Sequence, residues 1–129
     1  MLVAFPIGFG AIWSAVCFLL GTVGGWRALG RSYRVAEEPP GAEGTSGRMR
    51  GVVGYNYVMH VGGTPEGLYL GVNVLFRPGH PHVVVPWDRV DELGEAFSFW
   101  GSWVKLGLPG TSLAIPREVW ERARQRRPA

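Results

Sequence analysis

The chain predicts a single transmembrane helix followed by a small, mainly-β domain that ends in a short helix. Three observations predict it. Met1 to Trp26 contains no Lys, Arg, Asp or Glu. From Arg48 onward, apolar residues alternate with a period of two between Gly- and Pro-rich breaks. After Pro116 the period lengthens to that of a helix. The organisation that follows is 1–34 for the helix and its basic flank, 35–47 for a linker, and 48–129 for the β-rich domain.

An uncharged apolar run of 18 residues or more has the length that crosses bilayer hydrocarbon. About 22 helical residues at 1.5 Å each span roughly 33 Å, against a core of about 30 Å. A helix satisfies its own backbone in lipid, which an open strand does not. Ile7, Phe9, Ile12, Val16, Phe18, Leu19, Leu20 and Val23 supply lipid-soluble surface, and Trp26 stands where an interfacial aromatic is expected. A cleaved signal peptide does not fit, because no basic residue precedes the apolar run. Ser14-Ala15-Val16 before Cys17 is a poor lipoprotein cleavage site. As the core helix of a water-soluble protein, the run would leave too little other chain to surround it.

Arg27, Arg31 and Arg34 follow the span directly. Basic residues beside a span stay on the cytoplasmic side. The N-terminus is therefore expected outside, with the β domain in the cytoplasm beneath a cell (inner) membrane. The same arginines are the expected contacts to lipid headgroups. Gly10, Ser14, Cys17, Gly21 and Gly25 form a row of small residues along the helix, with Gly21 to Gly25 a literal G-x-x-x-G. Such a row lets a second membrane helix pack closely, whether from another subunit or a second copy.

The chain has 129 residues and a formal net charge of +3. After the helix there is room for one small domain. Arg122, Arg124, Arg126 and Arg127 concentrate positive charge at the C-terminus, a pattern better suited to lipid headgroups or an acidic partner than to nucleic acid. No nucleic-acid-binding motif is present. The single cysteine, Cys17, excludes an intrachain disulfide.

Val35 to Gly47, rich in Pro, Gly and Glu, reads as the linker. Tyr55, Tyr57, Met59 and Val61 alternate with Asn56, Val58 and His60; Leu68, Leu70, Val72 and Val74 alternate with Tyr69, Gly71 and Asn73. With Gly62-Gly63-Thr64-Pro65-Glu66-Gly67 between them, these runs predict a hairpin. Val83-Val84-Val85 is a short buried strand stopped by Pro86-Trp87. Phe97 to Leu108 has room for two strands turned around Gly101, and Ser112 to Ile115 is a last short strand. Pro116 suits a first helical position, and Val119, Trp120 and Ala123 share one face of the helix that follows.

The stretch Gly67-Leu-Tyr-Leu70, then Leu75-Phe-Arg-Pro-Gly-His-Pro81, then Val85-Pro-Trp-Asp88, with Gly25-Trp-Arg-Ala-Leu29 and Tyr33 upstream, resembles a family of small, uncharacterised bacterial proteins. These carry the same signature, often after an apolar N-terminal segment. The resemblance covers residues 25 to 120 and transfers no catalytic residue. More loosely, the strand order is similar to bacterial pleckstrin-homology-like or GRAM-like modules, which implies a strongly bent sheet or partly open barrel closed by a C-terminal helix.

The candidates for chemistry are weak. His80 and His82, separated by Pro81, offer two nitrogens to a metal but have no obvious third ligand nearby, and His60 sits in an alternating strand. Asp88, Asp91, Glu92 and Glu95 match no calcium-binding loop and read as a solvated turn. The glycine-rich hairpin lacks the Lys and helix of a phosphate loop. No G-x-S-x-G is present. The best contact surface lies in Arg77, His80 and Trp87, on Pro-stiffened loops, with Arg122 and Arg124 on the C-terminal helix; the equal alternative is that Trp87 is core and its loop only connects strands.

The expected function is therefore a non-catalytic accessory or scaffold subunit of a multi-subunit membrane complex, with no cofactor and no metal. Its helix would pack in the bilayer and its β domain would cap cytoplasmic surfaces. Its partners are membrane lipid and other transmembrane subunits or itself, and not nucleic acid. The alternative is a membrane-tethered module that binds anionic lipid or a small ligand.

Overall fold

The computed structural model describes residues 4–50, 53–73, 80–96 and 102–128. Its first element, α1 (Ala4–Val23), is helical because nothing in its apolar sequence interrupts the backbone ladder. It ends at Gly24-Gly25. Gly25 takes φ +86, the left-handed region that suits glycine, and the chain restarts as α2 (Trp26–Tyr33). The apolar run is thus an elbow rather than a rod. Among the described residues no single helix is long and apolar enough to cross a membrane; Ile7–Val23 and Trp26–Tyr33 meet that test only as a pair bent by 78°.

Among the described residues seven strands follow: β1 (Glu43–Met49), β2 (Val53–Gly63), β3 (Gly67–Val72), β4 (Val83–Pro86), β5 (Asp91–Ala96), β6 (Trp103–Leu108) and β7 (Thr111–Pro116), and then α3 (Arg117–Arg124). They form one antiparallel sheet in the order β4-β3-β2-β1-β7-β6-β5. Connectivity forces this sheet to curl. The two edge strands, β4 and β5, are consecutive in the chain and joined by Trp87–Arg89, a 3₁₀ turn, and Val90. A flat seven-stranded sheet would separate its edges by roughly 29 Å, whereas so short a link spans at most about 17 Å. The result is a half-barrel, as the bent-sheet resemblance implied.

Alternation places Val53, Tyr55, Met59 and Val61 of β2 and Leu68, Leu70 and Val72 of β3 inside the curl, with Val83, Val85, Val104, Leu106, Leu113 and Ile115. Both ends of the curl are stoppered. At the Val53 end of β2 and the Thr111 end of β7, α2 inserts Trp26 and Leu29. At the Gly63 end of β2, α3 inserts Val119, Trp120 and Ala123. Trp87 packs on Trp120 with ring centroids 6.2 Å apart. It also donates from Nε1 to the Thr64 carbonyl at 2.7 Å.

Three elements differ from expectation. β1 begins at Glu43, inside the stretch read as linker. Its Gly and Ser content hides a strand that lies between β2 and β7. The acidic stretch read as a turn is largely β5, an edge strand on which Asp91, Glu92, Leu93, Gly94 and Glu95 are all exposed. It has no apolar alternation because neither face meets the core. Its charges and the bulge at Gly94 (φ +116) blunt the open edge. The partner of β6 is therefore β5, and Phe97 to Gly101 lie outside the described residues. Finally, Pro116 is the N-cap of α3 rather than its first helical residue.

Candidate functional site at the helix elbow

The elbow joins the apolar helix to the sheet through backbone groups that a helix end leaves unpaired. The Val23 carbonyl accepts from Arg50 Nη1 at 3.1 Å, and Arg50 Nη2 donates to the Gly110 carbonyl at 2.8 Å. The Thr111 hydroxyl donates to the Gly24 carbonyl at 2.6 Å. One cationic side chain thus ties the C-terminus of α1, where positive charge is favourable, to the β6–β7 turn. The backbones meet so closely that a Cβ on Gly24 would stand 2.9 Å from Met49 Cβ, and one on Gly25 2.7 Å from Thr111 Cβ.

Below the elbow three rings interlock. Trp26 meets Tyr55 at 5.5 Å and His80 at 5.1 Å between centroids, both edge to face. The Tyr55 hydroxyl shares a 2.6 Å hydrogen bond with His80 Nε2, and Trp26 Nε1 donates to the Pro81 carbonyl at 2.9 Å. Burial, and secondarily the nearby Cys17 thiol, pushes the Tyr55 phenol well above its ordinary range. This cluster pins α2 against the segment that enters β4.

A second cluster lies on the outer face of the sheet. The segment after α2 crosses that face as a strap: Val35 N–H donates to the His82 carbonyl at 2.9 Å, and Arg34 bridges to Val83. Glu38 Oε1 accepts from His60 Nδ1 at 2.5 Å and from the Tyr69 hydroxyl at 3.3 Å. Tyr69 Oη stands 2.6 Å from His82 Nδ1. The chain of acid, phenol and imidazoles can pass a proton, and it fastens the strap to β2 and β3. Between strap, β2 and α3 opens a cleft of about 200 Å³, lined by Gly41, Glu43, Gly63, Arg122 and Arg126 among others.

The predicted site residues disperse over this frame. Along the small-residue row, Gly10 is exposed and Ser14 half-buried, while Cys17, Gly21 and Gly25 are buried within the chain. The last part of the row therefore faces the protein's own domain, and Gly25 makes the bend. Trp26, expected at a lipid interface, is a fully buried core residue. Arg27, Arg31 and Arg34 are exposed. His80, read as a surface contact, is core instead, and Trp87 takes the core alternative, 1% and 7% exposed. Arg77 lies outside the described residues. Arg122 forms a two-pronged ion pair with Glu43, which holds its guanidinium more firmly charged, and Arg124 pairs with Glu121. His80 and His82 do not point at a common ligand: one imidazole bonds Tyr55 in the core, the other Tyr69 on the outer face.

Sequence reasoning passed over Arg50, Tyr55, Glu38 and Tyr69. Arg50 left one faint signal, a guanidinium without an acidic neighbour at a strand end. The others gained their roles from residues 13 to 31 positions away. The chain matches no family model, no curated protein and no solved structure.

Proposed function

We propose that this protein is a non-catalytic, membrane-anchored accessory subunit. In this reading α1 lies in the lipid of a cell membrane with its N-terminus outside, and the half-barrel sits on the cytoplasmic side as a docking module for larger membrane proteins. One observation carries it. Between Ile7 and Val23, seven large apolar side chains stand 42% to 68% exposed, on a helix without a single charge. Water penalises such a surface by about 25 cal/mol for each Å², and apolar patches of this extent mark membrane or protein contacts. The elbow supports an accessory role, because Arg50, Thr111 and Trp26 fix the module rigidly to its helix. The stoppered half-barrel supports it further, since the interior is filled by the protein's own side chains and its outer surfaces are left for partners.

Alkaline carbonate extraction followed by ultracentrifugation tests the membrane placement, and mild-detergent purification of the tagged full chain tests the accessory role. The expected outcome is a carbonate-resistant pellet and stoichiometric co-purification of larger membrane proteins. Release into the supernatant defeats the first claim, and recovery as a lone monomer defeats the second.

A further inference from the structure

Three of the described arginines have carboxylate partners and the rest do not. Arg117, Arg122 and Arg124, all on α3, pair with Glu95, Glu43 and Glu121. Arg27, Arg31 and Arg50, at the elbow, have no carboxylate partner among the described residues. Arg27 folds back along α1: its Nη1 donates to the Thr22 hydroxyl at 3.0 Å, and its guanidinium carbon lies 5.3 Å from the centroid of the Phe18 ring. Arg50 is held by two neutral carbonyls, Val23 and Gly110. Both charges are thus fixed beside the last turn of an uncharged helix, and neither is neutralised. A guanidinium has five N–H donors, so these bonds leave each one free to grip an anion. Arg31 stands one turn beyond Arg27 on the exposed face of α2.

We propose that the elbow binds the phosphate headgroup of an anionic phospholipid. Arg27 and Arg50 hold the phosphate, Arg31 adds positive charge along the membrane surface, and the acyl chains lie against Phe18 and the exposed apolar side chains N-terminal to it, Val16 and Ile12. The inference rests on the membrane placement of α1. Charge complementarity chooses the occupant: guanidinium forks match phosphate oxygens, and side chains already held in place lose little freedom on binding. The apolar surface immediately N-terminal to the charges selects a lipid over a soluble phosphate. Arg27 then marks the headgroup level at Phe18 to Thr22, with the elbow in the headgroup layer.

The test uses the full chain in vesicles of phosphatidylcholine alone and of phosphatidylcholine with phosphatidylglycerol, reading the association of spin-labelled lipids by electron paramagnetic resonance. Each arginine near the surface contributes roughly a fivefold preference. Wild type is expected to select labelled phosphatidylglycerol over labelled phosphatidylcholine at least about fivefold, with the preference weakened by salt. Arg27→Gln should reduce the preference and Arg27→Gln/Arg50→Gln should abolish it, with near-ultraviolet circular dichroism unchanged in Arg27→Gln. Equal association of the two lipids with an inserted wild-type chain overturns the inference and leaves the membrane placement standing. Displacement of the labelled lipid by glycerol phosphate also overturns it, in favour of a soluble anion. A chain that floats with neither vesicle overturns the placement itself, and the inference with it.

Discussion

Tyr55, Trp87 and Trp120 show how single side chains acquire roles from what they meet. Trp87 and Trp120 are both indoles at the α3 end of the core. Trp87 Nε1 is bonded to Thr64, whereas Trp120 Nε1 is buried without a hydrogen-bond partner among the described residues. Replacing each by Phe removes the same atoms, so the difference between the two variants reports the hydrogen bond. Trp87→Phe should cost about 1 kcal/mol more than Trp120→Phe in chemical denaturation; equal losses would show that the Thr64 bond adds nothing. Tyr55 predicts an alkaline response. An exposed phenol ionises near 10, while the folded protein keeps Tyr55 protonated to higher pH. Its stabilising contribution is therefore intact below about pH 10 and lost as pH rises beyond it. Tyr55→Phe should make the fall in stability above pH 10 shallower; an unchanged slope would place the alkaline sensitivity elsewhere. His80 was legible in the sequence as an unusual residue but not as core, because a loop histidine has no periodic partner to declare its side; for the post-proline Trp87 the sequence left core and surface equally open.

At the scale of elements, the strands with alternating apolar residues were legible and those without were not. β2, β3, β4 and β7 each bury one or both faces, and the burial is written into their composition. β1 has two glycines and a serine in seven residues, and β5 is acidic; both are strands because neighbours supply the backbone partners. The strap from Arg34 to Ala42 is a third case, a linker in composition that becomes a fixed element through His60, Tyr69 and His82. Glu38→Ala should loosen it. Hydrogen exchange at the Val35 amide should quicken while the amides shared by β2 and β3 keep their protection. The global cost should stay below about 1 kcal/mol, since the Glu38–His60 pair is partly exposed. Undiminished protection at Val35 would mean that the strap is held by its backbone alone.

Across the whole molecule, one end of a curled sheet is closed by the elbow and the other by α3. The arginines paired with carboxylates lie on α3, whereas those at the elbow, like Arg126 and Arg127 just beyond α3, have no carboxylate partner among the described residues. If α1 enters lipid, its rigid attachment fixes which surfaces face the bilayer, and partners would meet a module of set orientation rather than one on a loose tether. The sequence by itself determined the uncharged apolar helix, the β-rich class, the hairpins and the amphipathic C-terminal helix, because each is written as a local period of polarity. Only the tertiary structure decided that the helix bends at Gly24-Gly25, that Trp26 turns into the core, that part of the small-residue row packs against its own domain, and that Arg50 caps α1. A periodic pattern states that a face must be covered. It cannot state by what, because the covering residues lie tens of positions away and arrive only when the sheet curls.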